Sequence, residues 1–309
     1  MQEKKILIIK FGGLGDIVLS LNAIYSIIKK FKKKKILLLT EKPYELFFEK
    51  SKWFDQIITI KRSIIYSFDI FRIKRKLDVH SIEKVFDLQT SRRSSNYLKI
   101  FDKKYVEING IGKFANKKHN NENRDAMHTI PRQAEQLKKS SIKFENNPNL
   151  SWLFNSKKLP NIEKNFSLVV PGGSRKRMDK RIPAEIYCEI IKILLKNSIT
   201  PILIGSDDDE IVCRNLEEKF PMLKNFCKKT DFFQIANLSK ESTISFGNDT
   251  GPMHIISRGN KPTLVFFTNN SNPNLCRQMG KKTFILNYKN DKNIFLDQIF
   301  REFKKVISN

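Results

Sequence analysis

The stretch Lys5-Ile6-Leu7-Ile8-Ile9-Lys10-Phe11-Gly12-Gly13-Leu14-Gly15-Asp16-Ile17-Val18 decides the fold. Its first part, Lys5 to Ile9, is a short β-rich run. Gly12, Gly13 and Gly15 then make a tight turn that lets another molecule approach the backbone. From Asp16 to Phe31 the apolar residues Val18, Leu21, Ile24, Ile28 and Phe31 recur at helical spacing. A strand running through a glycine turn into a helix is the opening of a βαβ unit with parallel pairing. The helix start carries unpaired N–H groups and the positive end of the dipole, so the turn attracts phosphate. It is not a P-loop, because the Gly-Lys-Ser/Thr ending is missing, and not a dinucleotide fingerprint, because G-x-G-x-x-G is missing.

Working outward, the same alternation continues. Ile36 to Leu39, Gln56 to Ile60 and Val85 to Leu88 read as strands, and Tyr44 to Glu49, Ile64 to Leu77 and Arg132 to Lys139 as helices. Asn109 to Asn123 reads as a mobile loop, and Asn146 to Asn165, with Pro148 and Pro160, as a linker. The pattern then restarts. Ser167 to Val170, Pro201 to Ile204, Thr243 to Phe246 and Lys261 to Phe267 are expected strands; Pro183 to Leu195, Glu210 to Lys219 and Phe295 to Ile307 are expected helices. Two βα repeats joined near residue 155 predict an α/β protein of two Rossmann-like domains, 1–155 and 156–309, facing each other across a cleft.

A second turn of the same kind lies deep in the C-terminal half, at Gly247-Asn248-Asp249-Thr250-Gly251-Pro252-Met253-His254. Thr250 offers a hydroxyl and an N–H, Gly251 removes bulk, and Pro252 fits an early helix position. His254 then sits one turn into the helix, facing back, where an imidazole donates to a phosphate oxygen. The plainer alternative has Asp249 capping the helix and His254 packed on its neighbours. Asp16 has the same two readings, a helix cap or a general base within reach of an acceptor hydroxyl. Between the two turns, Gly172-Gly173-Ser174-Arg175-Lys176-Arg177-Met178-Asp179-Lys180-Arg181 follows a strand and is rich in cations. It is either a solvated loop or a phosphate clamp, with Lys180 the preferred ammonium. Asp207, Asp208 and Asp209 follow the next strand, where one acidic group either accepts from ribose hydroxyls or caps a helix. Three consecutive aspartates point in different directions, so no metal is expected there.

Composition bounds the rest. The 309 residues are 40% hydrophobic, enough for two globular domains. No window approaches the ~18 apolar residues of a bilayer span. Lys10 and Asp16 interrupt the apolar N-terminal stretch and no small-residue cleavage site follows, which favours a cytoplasmic strand–turn–helix over a signal peptide. Cys188, Cys213, Cys227 and Cys276 are widely spaced, so reduced thiols are expected rather than zinc or disulfides. The net charge of +26 either reflects a lysine-rich coding bias or meets a polyanionic partner.

Together these segments resemble the family-nine glycosyltransferases, the ADP-heptose:lipopolysaccharide heptosyltransferases. The likeness runs through Gly13-Leu14-Gly15-Asp16-Ile17-Val18, Asp87-Leu88-Gln89, Pro171-Gly172-Gly173-Ser174, Lys180-Arg181-Ile182-Pro183, Gly205-Ser206-Asp207 and Asp249-Thr250-Gly251-Pro252-Met253-His254. It implies a GT-B-type fold, with an acceptor-binding N-terminal domain and a nucleotide-sugar-binding C-terminal one. It also implies a metal-independent, inverting transfer with no cofactor beyond the nucleotide-sugar substrate, ADP-heptose. By position, Asp16 would be the base. Gly13, Gly15, Ser174, Lys180, Asp207, Asp249, Thr250, Gly251 and His254 would bind the donor, and Lys180 would also stabilise the leaving diphosphate. Ile182, Asn22 and the stretch Thr268-Asn269-Asn270-Ser271-Asn272-Pro273 depart from the family pattern, which leaves the donor sugar open.

The leading expectation is therefore a cytoplasmic transferase held peripherally at the inner membrane face, acting on an anionic lipid-linked glycan. One alternative is a basic nucleic-acid-binding α/β protein. It rests on charge alone, no such motif being present, so nucleic acid is not the expected partner. The other is a silent relative that binds nucleotide sugar without transferring it.

Overall fold

The computed structural model describes residues 3–61, 66–155 and 162–308. The chain divides into two compact units, Met1–Trp152 and Leu153–Asn309. The division falls in the short helical turn Ser151–Phe154. The expected linker segment 156–161 lies outside the described residues, as do Ile64 and Ile65 of one expected helix.

In the first unit the strands are β1 (Lys5–Ile9), β2 (Lys35–Glu41), β3 (Gln56–Ile60), β4 (Ile82–Asp87), β5 (Glu107–Gly110) and β6 (Lys117–Lys118). They form one sheet in the order β3-β2-β1-β4-β5-β6, every neighbouring pair parallel. The helices are α1 (Leu14–Lys30), α2 (Glu45–Glu49), α3 (Tyr66–Lys76), α4 (Arg92–Tyr97) and α5 (Thr129–Lys138). The strand order reverses between β1 and β4, and the glycine turn leaves β1 at that point. In open parallel sheets such a reversal opens a crevice at the carboxyl ends of the strands. Ile6, Leu7, Ile8 and Ile9 are fully buried, as an interior parallel strand requires.

The second unit repeats the plan with β7 (Phe166–Val170), β8 (Thr200–Leu203), β9 (Lys224–Asn225), β10 (Ile244–Asn248), β11 (Thr263–Phe267) and β12 (Thr283–Asn287), ordered β12-β11-β10-β7-β8-β9 and again parallel. Its helices are α6 (Ala184–Lys196), α7 (Glu210–Lys219), α8 (Phe232–Glu241), α9 (Gly251–Ser257), α10 (Pro273–Cys276) and α11 (Lys292–Ile307). The reversal lies between β7 and β10, whose ends carry the Gly172-Gly173 turn and the Asp249-Thr250 turn. Helix α6 buries Ile186, Tyr187, Ile190, Ile191 and Leu194, one face at helical spacing. They pack with Phe246, Phe266, Phe295 and Phe303 in one core. Each buried side chain contributes about 1.5–3 kcal/mol, so Ile190→Ala alone costs about 2–5 kcal/mol.

The expected loop at Asn109 to Asn123 instead contains the end of β5 and all of β6. Asn109 is tolerated in a buried strand because its Nδ2 donates to Gln136 O at 2.8 Å and Ser140 Oγ at 2.9 Å. Besides β5 and β6, the described elements α4, β9, α8, α10 and β12 escaped the sequence reading. For α8 a signal was present: Asp231 and Gln234 form a capping box at its start. Among the described residues, no helix is long and apolar enough to cross a membrane.

Candidate active site

The first turn is built around Gly13. It occupies the cap position of α1 with φ 68° and ψ 116°, a conformation that side chains resist. Asp16 is therefore not the helix cap; it lies in the first turn of α1, exposed, with no side-chain cap bond made there. Its carboxylate folds over the cap residue, so that a Cβ built at Gly13 would lie 2.8 Å from Asp16 Oδ2. Ser20 Oγ donates to the Asp16 carbonyl at 2.7 Å, and Gln133 Nε2 of α5 donates to Ser20 Oγ at 2.9 Å, which fixes this end of α1. Gly15 is the second residue of the helix. The arrangement leaves a solvent-facing carboxylate on a rigid turn, the form a general base takes before its substrate arrives.

Behind the turn are two further charges, Lys10, to which the sequence reading gave no role, and Asp87 of the strand-end motif. Lys10, just past β1, is 4% exposed. Burial lowers its pKa, opposed by the charges of Asp16 and Asp87, while Arg132 lowers it further. Asp87, at the end of β4, is fully buried and accepts from Gln89 N at 3.1 Å, Thr90 N at 3.0 Å and Ser94 Oγ at 2.9 Å. Burial outweighs those donors and the charge of Lys10, and pushes its carboxyl up to about 6. Gln89 Oε1 in turn accepts from Phe11 N at 3.1 Å, so the Asp87-Leu88-Gln89 strand end holds the glycine turn in place.

In the second unit Asp249 is the organising group. Its side chain is 4% exposed. Oδ2 accepts from Lys180 Nζ at 2.7 Å and from Ser271 Oγ at 2.6 Å, while Oδ1 accepts from Gln278 Nε2 at 2.8 Å. His254 Nε2 faces back onto Oδ1 at 3.9 Å. Burial alone raises this carboxyl's pKa. The Lys180 and Ser271 bonds, with the charges of Lys180 and His254, outweigh it and hold the group below the usual carboxylate range. Asp249 does not cap α9 either: Thr250 takes that position, makes no side-chain cap bond, and leaves its buried Oγ1 without a hydrogen-bond partner among the described residues. Gly251 and Pro252 open the helix.

The Gly172-Gly173 turn packs against the same place. A Cβ at Gly172 would fall 1.9 Å from Asp209 Oδ1, and one at Gly173 2.9 Å from Thr250 Cγ2. Only glycine allows that approach. Asn248 Nδ2 donates to the carbonyls of Pro171 and Gly172 at 2.8 and 2.9 Å, stapling the turn to the end of β10. The three aspartates divide their work. Asp209 is buried and accepts from Gly173 N at 2.6 Å, Ser206 N at 2.8 Å and Arg181 at 3.3 Å. Asp208 accepts from Arg175 N at 2.9 Å. Asp207 is exposed and lies 3.4 Å from Lys228 Nζ. Ser174 is exposed and starts the short helical turn Arg175–Lys180.

Of the residues singled out from sequence, the structure brings Lys180, Asp249, Thr250 and His254 together beside Gly173. Gly13, Gly15 and Asp16 form a separate turn in the first unit. Ser174 and Asp207 stand at the rim of the second turn, making local contacts. Of the three aspartates that the sequence reading offered, Asp209 is the one built into the turn. Sequence reasoning gave no role to Lys10, Asn248, Ser271 and Gln278. Position at a strand end would have found the first two; Ser271 and Gln278 reach Asp249 from more than twenty residues away, and no local pattern marks them. Among the described residues, no group of three His, Cys, Asp or Glu side chains could hold a metal ion.

Residues 70–298 match the profile of glycosyltransferase family 9 (heptosyltransferase). Curated protein sequences return no match. Among solved structures, E. coli ADP-heptose lps heptosyltransferase II superposes with a TM-score of 0.78 at 16% identity, covering 98% of each chain. The family-9 glycosyl transferase from Veillonella parvula gives 0.80 at 15% identity, over 99% of this chain and 98% of that one. E. coli heptosyltransferase WaaC with ADP gives 0.77 at 16% identity, over 98% and 99%. At such identities the likeness is one of fold, the GT-B-type arrangement of two parallel α/β sheets.

Proposed function

The chain belongs to glycosyltransferase family 9 (heptosyltransferase), and from that premise we propose that it transfers heptose, or a related sugar, from an ADP-sugar to a lipopolysaccharide-core or similar lipid-linked glycan acceptor. Transfer inverts the anomeric centre and uses no metal ion. The acceptor hydroxyl oxygen attacks the anomeric carbon while Asp16 takes its proton. The bond from that carbon to the diphosphate breaks, and ADP leaves with the electron pair. The Lys180 ammonium meets the charge that develops on the departing diphosphate, with His254 and Thr250 beside it. Ser174 and Asp207, at the rim of the turn, contact the donor's outer groups.

The observation that carries this reading is the Lys180–Asp249 pair, 2.7 Å apart, at a turn where Gly173 packs closely against the Thr250 methyl. A buried carboxylate that holds one ammonium at a glycine-rich strand end is a preorganised charge, which is what stabilises a leaving anion. Two solved relatives support the donor class, since one is described with ADP and another with ADP-2-deoxy-2-fluoro heptose. The acceptor reading is supported by the charge balance of the first unit, where 32 basic residues stand against 16 acidic ones in Met1–Trp152. Such a surface favours a phosphorylated glycan on an anionic leaflet, with the protein held peripherally.

The test is ADP release from ADP-heptose in the presence of a core acceptor, measured beside ADP binding by calorimetry. Release with the acceptor and none without it supports transfer. Binding without release identifies a silent nucleotide-sugar binder and removes the enzymatic reading for this chain.

A further inference from the structure

Asp249 is held by more than Lys180. Ser271 lies just past β11, in the stretch Thr268 to Pro273 that departs from the family pattern, and Gln278 lies just past α10. Their donors divide the carboxylate: Gln278 takes Oδ1 at 2.8 Å, and Ser271 takes Oδ2 at 2.6 Å beside the Lys180 ammonium at 2.7 Å. Gln278 is 3% exposed, and its amide oxygen Oε1 is buried with no hydrogen-bond partner among the described residues. An amide half satisfied in the interior is costly, and its retention asks for a reason. The same segment also grips the cationic loop that carries Lys180. Thr268 Oγ1 and Asn270 Nδ2 donate to Asp179 O at 2.9 and 3.3 Å, and Arg177 donates to Asn270 O at 2.9 Å.

We propose that Ser271 and Gln278 are positioning residues for the transfer reaction, fixing the Asp249 carboxylate and through it the Lys180 ammonium. The inference rests on the donor reading given above and adds the groups that aim its cation. Lys180 ends a flexible four-carbon stem whose side chain is 20% exposed, so nothing in its own chain sets where the ammonium points. The carboxylate sets it, and the carboxylate is in turn kept from rotating by one donor on each oxygen. The low pKa of Asp249 is consistent with this, because Ser271 stands with Lys180 among the groups that hold it down.

The test is a double-mutant cycle with a ligand-free arm. Ser271→Ala and Gln278→Ala should each lower kcat about tenfold, with KM for the ADP-sugar changed less than about threefold, because an interaction realised in the transition state is lost. In a Lys180→Ala background neither should lower kcat further, and Ser271→Thr, which keeps the hydroxyl, should restore it. Additive losses, or a Thr variant as impaired as Ala, overturn the proposal. In the ligand-free arm, the Asp249 carboxyl carbon is followed by NMR titration and assigned through Asp249→Asn. Its pKa should rise in Ser271→Ala and in Gln278→Ala; an unmoved titration in both overturns the proposal. A chain that turns over no ADP-sugar yet shows the raised titration supports the positioning and removes only the donor reading. Turnover with additive losses does the reverse.

Discussion

Replacing Gly13 by alanine perturbs both the fold and the proposed base, Asp16, at one atom. The backbone there has φ 68° and ψ 116°, outside the small left-handed well open to alanine. Strain of that kind costs about 1–3 kcal/mol. The new Cβ would also lie 2.8 Å from Asp16 Oδ2, against an ordinary van der Waals contact of 3.4 Å or more. The carboxylate is the mobile end of its side chain, so it yields by roughly 0.6 Å at little energetic cost, but it yields from the place where the acceptor hydroxyl must meet it. Since a 1 Å misplacement costs on the order of a hundredfold in rate, a shift of about half that predicts a loss of about tenfold in kcat. Urea unfolding reads the first effect and ADP release the second. An alanine variant that unfolds at the wild-type midpoint and turns over within twofold of wild type would refute both the strain and the placement of the carboxylate.

Three further outcomes follow from the same geometry. Asp16→Asn keeps the shape of the turn and removes the proton acceptor; kcat should fall by about 10²–10⁴ while ADP affinity measured by calorimetry stays within about threefold. Lys180→Ala removes the ammonium proposed to face the leaving diphosphate and should lower kcat by about 10²–10³; full turnover in steady-state assays would end its role. Asp87, pushed up to about 6 by burial, keeps its proton in the folded chain between about pH 4 and 6, where the unfolded chain has released it. Stability should therefore fall as pH rises through that window, by about 3 kcal/mol at most, and Asp87→Asn should flatten the slope seen in urea midpoints.

Much of the architecture was legible because parallel α/β folds are written in local signals. Ile6 to Ile9 and Phe166 to Val170 are apolar runs that only an interior strand accommodates, and the glycine and proline turns after them mark the strand ends. The elements that escaped are those whose local signal is weak or whose stability is borrowed. β6 and β9 are two polar residues each at sheet edges, formed because a neighbouring strand pairs with them. In the same way the turns were readable and their partners were not. Asp16 and Asp249 stand where the strand–turn–helix pattern puts them, but neither caps its helix. Gly13 occupies the cap through a backbone conformation that no sequence period reports, and Asp249 is claimed by Lys180, Ser271 and Gln278 from 69, 22 and 29 residues away. A buried carboxylate selects its donors by three-dimensional proximity, and that is set only once the second sheet has folded.

The most direct test of the account is a single reaction followed to its product. The full-length protein is mixed with ADP-heptose and a phosphorylated lipid-linked core glycan, ADP release is recorded, and the anomeric configuration of the new linkage is read by NMR. The account predicts ADP released in step with a product of inverted configuration, and neither in Asp16→Asn. Retained configuration, or undiminished release in that variant, would contradict it.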